Sequence, residues 1–142
     1  MYKNNGELKT LLLVDDDQDD QELFKLALAE LNHPIHCFTA GNGQEALDQL
    51  CTRAYRPDLI FLDLNMPLMN GIVFLERIKD IEHLKDIPVI IYSTSDEPRE
   101  MLTARSMGAV DYIIKPARFN ELCKLLQVVL TRGATTTPFQ QD

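Results

Sequence analysis

Short runs of apolar residues alternate along the chain with segments whose apolar residues recur at helical spacing. Five runs of four or five residues predict β-strands, and they lie at residues 11–14, 35–38, 59–62, 89–92 and 110–114. Three of these runs are continuously apolar rather than alternating, which is typical of strands buried on both faces of a parallel sheet. The run at 35–38 contains His36 and is less apolar, so it predicts a strand at the edge of the sheet.

Helical periodicity fills the segments between these runs. Apolar residues recur at spacings of three and four in two long segments, at positions 24, 27, 28 and 31 and at positions 122, 125, 126 and 129. Two shorter pairs, Ala46 with Leu50 and Phe74 with Ile78, predict two more helices. Residue 98 is a proline and suits the first turn of a fourth helix, which Gly108 is placed to end. This fourth helix has the weakest apolar stripe of the five.

Five strands that alternate with five helices predict an α/β fold of the (βα)5 type, a doubly wound parallel sheet with helices on both faces. A chain of 142 residues has the size of one domain. We expect residues 10–130 to form that domain, preceded by a short extension at residues 1–9. The polar, threonine-rich segment at 131–142 has no periodicity, and we expect it to be disordered.

The composition is acidic, because 14 lysine and arginine residues stand against 22 aspartate and glutamate residues, for a formal net charge of −8. Direct nucleic-acid binding is not expected, since affinity for the phosphate backbone depends on cationic side chains. The sequence contains neither a signal-peptide pattern nor an apolar stretch near the ~18 residues of a membrane span. The three cysteines, Cys37, Cys51 and Cys123, lie far apart and predict free thiols in a reducing cytoplasm.

Chemically active side chains follow four of the five predicted strands. The first strand ends at Asp15, the third at Asp63, the fourth at Ser93 and Thr94, and the fifth at Lys115. Because ligands bind beyond the carboxyl ends of parallel strands, we expect these side chains to share one site. Clustered carboxylates favour a divalent cation such as Mg²⁺, and a neighbouring ammonium and hydroxyl suit a phosphoryl group. The arrangement predicts a phosphoryl-transfer site.

Each of these signals also has an ordinary structural explanation. The acidic run at 15–20 is typical of a solvated helix N-terminus, an aspartate after a strand is often an N-cap, and a lysine before proline is common in turns. The functional interpretation depends on all four signals falling at corresponding strand ends. Spacing alone does not decide whether the acidic pair is Asp15 with Asp16 or Asp16 with Asp17.

The chain resembles the receiver domain of two-component response regulators in four motifs, which are in order LLLVDDD, PDLIFLDLNMPLMNG, PVIIYSTSD and GAVDYIIKP. The second motif is the most specific of them, and the resemblance covers nearly the whole predicted domain. It implies the flavodoxin-like strand order 2-1-3-4-5, which agrees with an uncharged second strand at the edge. No output domain is expected after the fifth helix, so the resemblance is to the stand-alone, CheY-like type.

The resemblance implies a role for each residue of the site. Asp63 would be the phosphoacceptor. Asp15 and Asp16 would be the acidic pair and would bind Mg²⁺ together with Asp63 and the backbone carbonyl of Asn65. Lys115 would pair with the phosphoryl group, and Asn65 would lie beside that group as well.

The resemblance also implies how the site would switch. Ser93 and Thr94 would bind phosphoryl oxygens, and the Ser93 hydroxyl would move toward them on phosphorylation. Tyr112, as the switch aromatic, would then turn inward. The bond between Lys115 and Pro116 would be cis, a form that only X–Pro bonds adopt at low cost. The fourth helix, fifth strand and fifth helix would form the output face for a downstream protein.

The function implied is a phosphorylation-dependent switch whose donor is a histidine kinase or a histidine phosphotransfer protein. We expect a monomer or weak dimer, with no membrane insertion and no small-molecule turnover. Two alternatives stay open. An aspartate-nucleophile phosphohydrolase would need a second acid two residues after the nucleophile, where Asn65 stands and cannot donate a proton. A constitutive binding module is the other, although the acidic run at 15–20 would repel the phosphate of a flavin.

Overall fold

The computed structural model describes residues 8–31, 34–52, 55–66 and 68–132. Its elements are, in chain order, β1 (Thr10–Val14), α1 (Gln18–Ala29), β2 (His36–Ala40), α2 (Gly43–Cys51), β3 (Leu59–Leu62), α3 (Gly71–Lys79), β4 (Val89–Ser93), α4 (Pro98–Ser106), β5 (Asp111–Ile114) and α5 (Phe119–Arg132). The strands form one sheet in the order β2-β1-β3-β4-β5, and every neighbouring pair is parallel. The predicted fold and strand order are therefore confirmed.

The two faces of the sheet are both covered, as the continuous apolar runs predict. Alternate side chains of β1 point to opposite faces: Leu11 and Leu13 belong to one apolar core, and Leu12 and Val14 to the other. Helices α1 and α5 pack on the first face, and α2, α3 and α4 pack on the second. Strand β2 lies at the edge, and His36 at its start is exposed.

Side-chain caps fix the start of the first three helices. Asp17 accepts a hydrogen bond from the Asp20 N–H, Asn42 from the Glu45 N–H and Asn70 from the Val73 N–H. Each cap satisfies one of the backbone donors that a helix start leaves unpaired. These caps matter for the site because α1 and α3 begin directly beside the ends of β1 and β3.

Helix α4 is less firmly attached than its neighbours. Its N-cap residue, Glu97, makes no side-chain capping bond, and Ala104 is the one buried residue of the helix. At its end Gly108 adopts a φ of 98°, a left-handed conformation that glycine enters without steric cost. The weak apolar stripe and the glycine stop predicted from the sequence are both present. Elements with so little buried apolar surface open or shift at low free-energy cost.

The structure differs from the expectations at three places. Among the described residues no peptide bond is cis, so the cis Lys115–Pro116 bond implied by the resemblance is wrong. The trans form is favoured by about 0.5–1 kcal/mol, and in it the Lys115 side chain already reaches the acidic residues. Helix α5 continues to Arg132, and Leu8 is buried in the core, both beyond the expected limits of 10–130. The rest of the tail and residues 1–7 lie outside the described residues.

The three cysteines are unpaired, as predicted. Cys51 is exposed, whereas Cys37 and Cys123 are half-buried against the apolar core formed with α1 and α5. Over the described part of the chain, none of the helices combines the length and the apolar character that crossing a membrane requires.

Candidate functional site

Two neighbouring carboxylates follow β1. Asp15 is fully buried, and its Oδ1 accepts the backbone N–H of Asp17 at 2.9 Å. Its own backbone carbonyl accepts the Gln21 amide at 2.6 Å, which fixes the chain as it turns from β1 into α1. Burial raises the pKa of Asp15, against the opposing effects of the Lys115 ammonium and the Asp17 N–H. Asp16 is exposed to solvent.

Asp63 follows β3 directly across from this pair. Its backbone N–H donates to the carbonyl of Val14 at 2.9 Å, so the pairing of β1 with β3 continues into the site. Its side chain is nearly buried, and Oδ1 accepts the Asn65 N–H at 3.1 Å. Gly71, the first residue of α3, packs so tightly that an added Cβ would collide with the Asp63 carbonyl. The backbone around Asp63 is therefore held from both sides.

Asp15, Asp16 and Asp63 come together as the strand-end argument predicts. Each offers a carboxylate oxygen, and these oxygens all lie within 4.8 Å of one another. Three such oxygens, of which two belong to buried residues, form the hard oxygen set that Mg²⁺ prefers. The donor set fits the predicted cation, and the group contains Asp15 and Asp16 but not Asp17.

Lys115, after β5, points into the same cluster. Its Nζ lies 2.8 Å from Asp15 Oδ2, 3.2 Å from Asp63 Oδ2 and 2.8 Å from Asp20 Oδ2. The side chain is 9% exposed, and its Nζ also lies 5.5 Å from the centre of the Tyr92 ring. Burial alone would lower the pKa of Lys115, but hydrogen bonds to Asp15 and Asp20 raise it above its ordinary value. The ammonium is held charged beside the Asp63 carboxylate.

Asp20 is a member of this network that the sequence analysis missed. It lies in the first turn of α1, four residues before Phe24 and seven before Ala27, both of which are fully buried. That spacing places Asp20 on the face of α1 that packs on the sheet. A carboxylate on a buried helix face needs a cationic partner. Extending the apolar stripe of α1 back to position 20 would therefore have indicated that Asp20 pairs with a cationic side chain.

Ser93 and Tyr112 meet beside the cluster. Ser93 is fully buried at the end of β4, and its Oγ accepts the Ser95 N–H at 3.2 Å. The Tyr112 hydroxyl donates to the Ser95 carbonyl at 2.8 Å, and the ring is only 7% exposed. Burial raises the pKa of Tyr112, against hydrogen bonds with Ser95 and Ser93. Tyr112 thus already occupies an inward position.

The remaining residues of the predicted site line its opening. Asn65 and Thr94 are exposed, Asn65 beside Asp63 and Thr94 directly after β4. Next to Asp63 an open cleft of about 580 Å³ runs between the loop after β3 and helix α4. It is lined by Leu64, Asn65, Met66, Asn70, Ile72, Arg99, Glu100 and Thr103. Asp63 is therefore nearly buried but lies at the edge of a surface cleft.

Comparison with known proteins agrees with this geometry. The model of the response regulator receiver domain family matches residues 11–127. The phosphate regulon transcriptional regulatory protein PhoB of Pseudomonas aeruginosa is 36% identical over 124 residues, which are 87% of this chain and 52% of PhoB. The chain thus spans about half the length of this curated relative.

Two solved structures extend the comparison. The phosphorylated cyanobacterial phytochrome response regulator RcpA superposes with a TM-score of 0.82 at 32% identity, over 89% of this chain and 94% of RcpA. The Mn²⁺-bound form of response regulator Rcp1 gives a TM-score of 0.79 at 28% identity, over 91% and 97% of the two chains.

The chain belongs to the receiver-domain family of two-component response regulators. Domains of this class are signalling switches and are generally not small-molecule enzymes. They bind Mg²⁺ in an acidic pocket and interact with histidine kinases or phosphotransfer proteins in a phosphorelay.

Proposed function

We propose that this chain is a phosphorylation-dependent switch in which Asp63 accepts a phosphoryl group from the phosphohistidine of a histidine kinase or phosphotransfer protein. The observation that carries the proposal is the 3.2 Å contact between Lys115 Nζ and Asp63 Oδ2, with Asp15 and Asp16 within reach of the same carboxylate. The proposed acceptor therefore lies beside both an ammonium and carboxylates that could bind a metal. Phosphoryl transfer depends mainly on such positioning and charge neutralisation.

In the proposed reaction an Asp63 carboxylate oxygen forms a bond to phosphorus while the phosphorus–nitrogen bond of the donor breaks, and the imidazole leaves with the electron pair. Lys115 donates a hydrogen bond to a phosphoryl oxygen and offsets its growing charge. The Asn65 N–H, which already donates to Asp63 Oδ1, keeps the carboxylate oriented. Asn65 and Thr94 at the opening are proposed to contact the same phosphoryl group.

Asp15, Asp16 and Asp63, with the backbone carbonyl of Asn65, are the residues that would hold Mg²⁺. The cation supplies positive charge that neutralises the transferring phosphoryl group. The residues present fit this role, because they offer oxygen ligands and carry more negative charge than Lys115 can balance. Buried carboxylates without compensating charge are costly, and burial already raises the pKa of Asp15.

We propose that the signal leaves the site through Ser93 and Tyr112. A phosphoryl group adds about −1.5 to −2 charge and three acceptor oxygens, which compete for the Ser93 hydroxyl. Ser93 is coupled to Tyr112 through Ser95, and the tyrosine lies in β5 next to the weakly attached α4. The output face would then comprise α4, β5 and α5, where Leu102 and Ile114 are exposed apolar side chains. A downstream protein is its proposed ligand.

The proposal is tested by phosphotransfer from purified, autophosphorylated histidine kinases to the chain, with Asp63→Asn as the control. A phytochrome-class kinase belongs among the donors, because RcpA is a phytochrome response regulator. We expect rapid Mg²⁺-dependent transfer from one kinase and none to the variant. Absence of transfer from every kinase and phosphotransfer protein of the source organism would contradict the proposal. We also propose a cytoplasmic location, which the three unpaired thiols support.

A further inference from the structure

Three carboxylates surround the Lys115 ammonium. A lysine ammonium carries three N–H donors. Three carboxylate oxygens, from Asp15, Asp20 and Asp63, lie within 3.2 Å of Nζ. Two of these oxygens, from Asp20 and Asp63, accept hydrogen bonds from Nζ, so a phosphoryl oxygen that approaches Lys115 competes with carboxylates for the ammonium.

The contacts of Lys115 with its three carboxylate partners are expected to change differently when a cation binds and Asp63 is phosphorylated. Asp63 is the proposed acceptor, so its own contact passes to the phosphoryl group that it carries. Asp15 belongs to the three-carboxylate cluster that fits a cation, and a bound cation would take over its charge. Among the described residues, Asp20 pairs with Lys115 without belonging to that cluster. The hydrogen bond between Lys115 and Asp20 is therefore the contact that remains to compete with a phosphoryl group.

The position of Asp20 is well fixed. Its backbone N–H donates to the Asp17 cap at 3.0 Å, and it begins the helix face that Phe24 and Ala27 bury. Its side chain is 33% exposed, so the carboxylate is partly shielded from water. The hydrogen bond to Lys115 at 2.8 Å is charge-assisted and shorter than that from Lys115 to Asp63.

We propose that Asp20 is a positioning residue that competes with the phosphoryl group for the Lys115 ammonium and thereby lowers the fraction of the chain that is phosphorylated at a given donor concentration. This inference rests on the proposed function of Asp63. In this role Asp20 limits the phosphorylation of Asp63 through Lys115, and it makes no contact with the reacting atoms itself.

Like-charge repulsion acts in the same direction as the competition. The Asp20 and Asp63 oxygens both contact one nitrogen, so they lie on the order of 6 Å apart at most. Phosphorylation replaces the single charge on Asp63 with one of up to about −2. The repulsion from Asp20 therefore grows when the phosphoryl group arrives, while the ammonium that screens it is shared between the two.

The proposal predicts two effects of opposite sign when the charge of Asp20 is removed. The affinity for Mg²⁺ falls, because a negative charge near the cation is lost. The phosphorylated fraction at saturating Mg²⁺ rises, because Lys115 is released toward the phosphoryl group. Damage to the fold would lower both quantities, so the pair of signs separates competition from a merely structural role.

The experiment uses the full chain, acetyl phosphate as the donor, Asp20→Asn as the test variant and Asp19→Asn as the matched control. Asp19 lies in the same helical turn and is exposed, and Asp20 is the one of the two that contacts Lys115 in the described structure. The phosphorylated fraction at saturating Mg²⁺ is measured by intact-protein mass spectrometry, and the Mg²⁺ dissociation constant by calorimetry. For Asp20→Asn we expect the ratio of phosphorylated to unphosphorylated chain to rise about fivefold, the effect of one partly exposed ion pair. Its Mg²⁺ dissociation constant should increase, and Asp19→Asn should resemble the wild type in the phosphorylated ratio.

The outcomes distinguish this inference from the proposed function. An unchanged or lower phosphorylated ratio for Asp20→Asn, with Asp63→Asn unlabelled, overturns the role of Asp20 and leaves the acceptor in place. A wild-type chain that takes no label overturns both. Asp20→Ser removes the same charge with a smaller side chain and must give the same rise, and circular dichroism verifies that each variant is folded.

Discussion

The hydroxyl of Tyr112 in β5 donates a hydrogen bond to the backbone carbonyl of Ser95, 2.8 Å away in the loop after β4. The backbone N–H of the same residue, Ser95, donates to the buried Ser93 hydroxyl. The side chain proposed to sense a phosphoryl group and the aromatic ring proposed to report it are thus joined through a single residue. The inward position of Tyr112 is held by a contact with the backbone and not by packing alone.

Replacing Tyr112 with phenylalanine should lower the free energy of unfolding by about 1 kcal/mol. The ring and its apolar contacts are kept, so the variant loses one hydrogen bond. The partly buried Ser95 carbonyl is then left without the hydroxyl that donates to it. Urea denaturation followed by far-ultraviolet circular dichroism measures the change. A midpoint identical to that of the wild type would mean that the hydroxyl contributes nothing to the position of the loop.

Replacing Gly71 with alanine should destabilise the chain by roughly 1–3 kcal/mol and disturb the position of Asp63. The added Cβ would collide with the Asp63 carbonyl and lie 2.7 Å from the Leu64 Cα, and backbone atoms cannot move aside cheaply. Gly41→Ala is the matched control, because its Cβ would meet only the flexible Glu45 carboxylate at 3.3 Å. Equal unfolding free energies for the two variants would contradict this account of the turn.

Leu68 is a bulky residue in a left-handed conformation, with φ 65° and 88% of its surface exposed. Such backbone costs an L-residue about 1–2 kcal/mol, whereas asparagine tolerates it. Leu68→Asn should therefore raise the free energy of unfolding by roughly 0.5–1 kcal/mol, since almost no buried contact is lost. The control Leu102→Asn replaces another exposed leucine, which lies within α4, and should be slightly destabilising. Thermal unfolding of both variants measures the effect. If Leu68→Asn is no more stable than the wild type, the backbone at Leu68 is not strained.

The stability of the chain should fall above pH 9 because of Cys37. Burial raises the pKa of this thiol to about 12, against the opposing charge of Lys25. The unfolded chain releases the proton near pH 9 and the folded chain does not, so stability present below pH 9 is lost as the pH rises toward 12. Between pH 8 and pH 9.5 the loss should be roughly 0.8 kcal/mol, measured by urea unfolding in the presence of a reductant.

Cys37→Ala should remove most of this slope between pH 8 and pH 9.5, whereas Cys51→Ala, which removes an exposed thiol, should keep it. The comparison is confined to this range because tyrosines begin to ionise in the unfolded chain near pH 10. An unchanged slope in Cys37→Ala would assign the alkaline loss to other groups.

The sequence was enough to predict the sheet and the side chains that meet at the carboxyl ends of its strands. Asp15, Asp63 and Lys115 are each the first residue after an apolar run, and parallel strands bring such positions together whatever the loops do. The contact between Lys115 and Asp63 follows from this topology. Local periodicity and capping residues likewise placed the helices close to their observed limits.

Features that depend on how elements pack were not predictable in the same way. The partnership of Asp20 with Lys115 needs the rotation of α1 about its axis, which Phe24 and Ala27 set by packing on the sheet. The trans bond at Pro116 depends on a small energy difference that tertiary context decides. The inward position of Tyr112 depends on a hydrogen bond to a loop with no sequence signature.

The central claim is that Asp63 is the acceptor within a cation-dependent site. The most direct measurement treats the wild-type chain and Asp63→Asn with acetyl phosphate, with Mg²⁺ or with excess chelator, and locates any added phosphoryl group by tandem mass spectrometry. We predict one phosphoryl group on the wild-type chain, within the peptide that contains Asp63, only when Mg²⁺ is present, and none on the variant. A wild-type chain that stays unlabelled with Mg²⁺, or a variant labelled as fully as the wild type, would contradict the account.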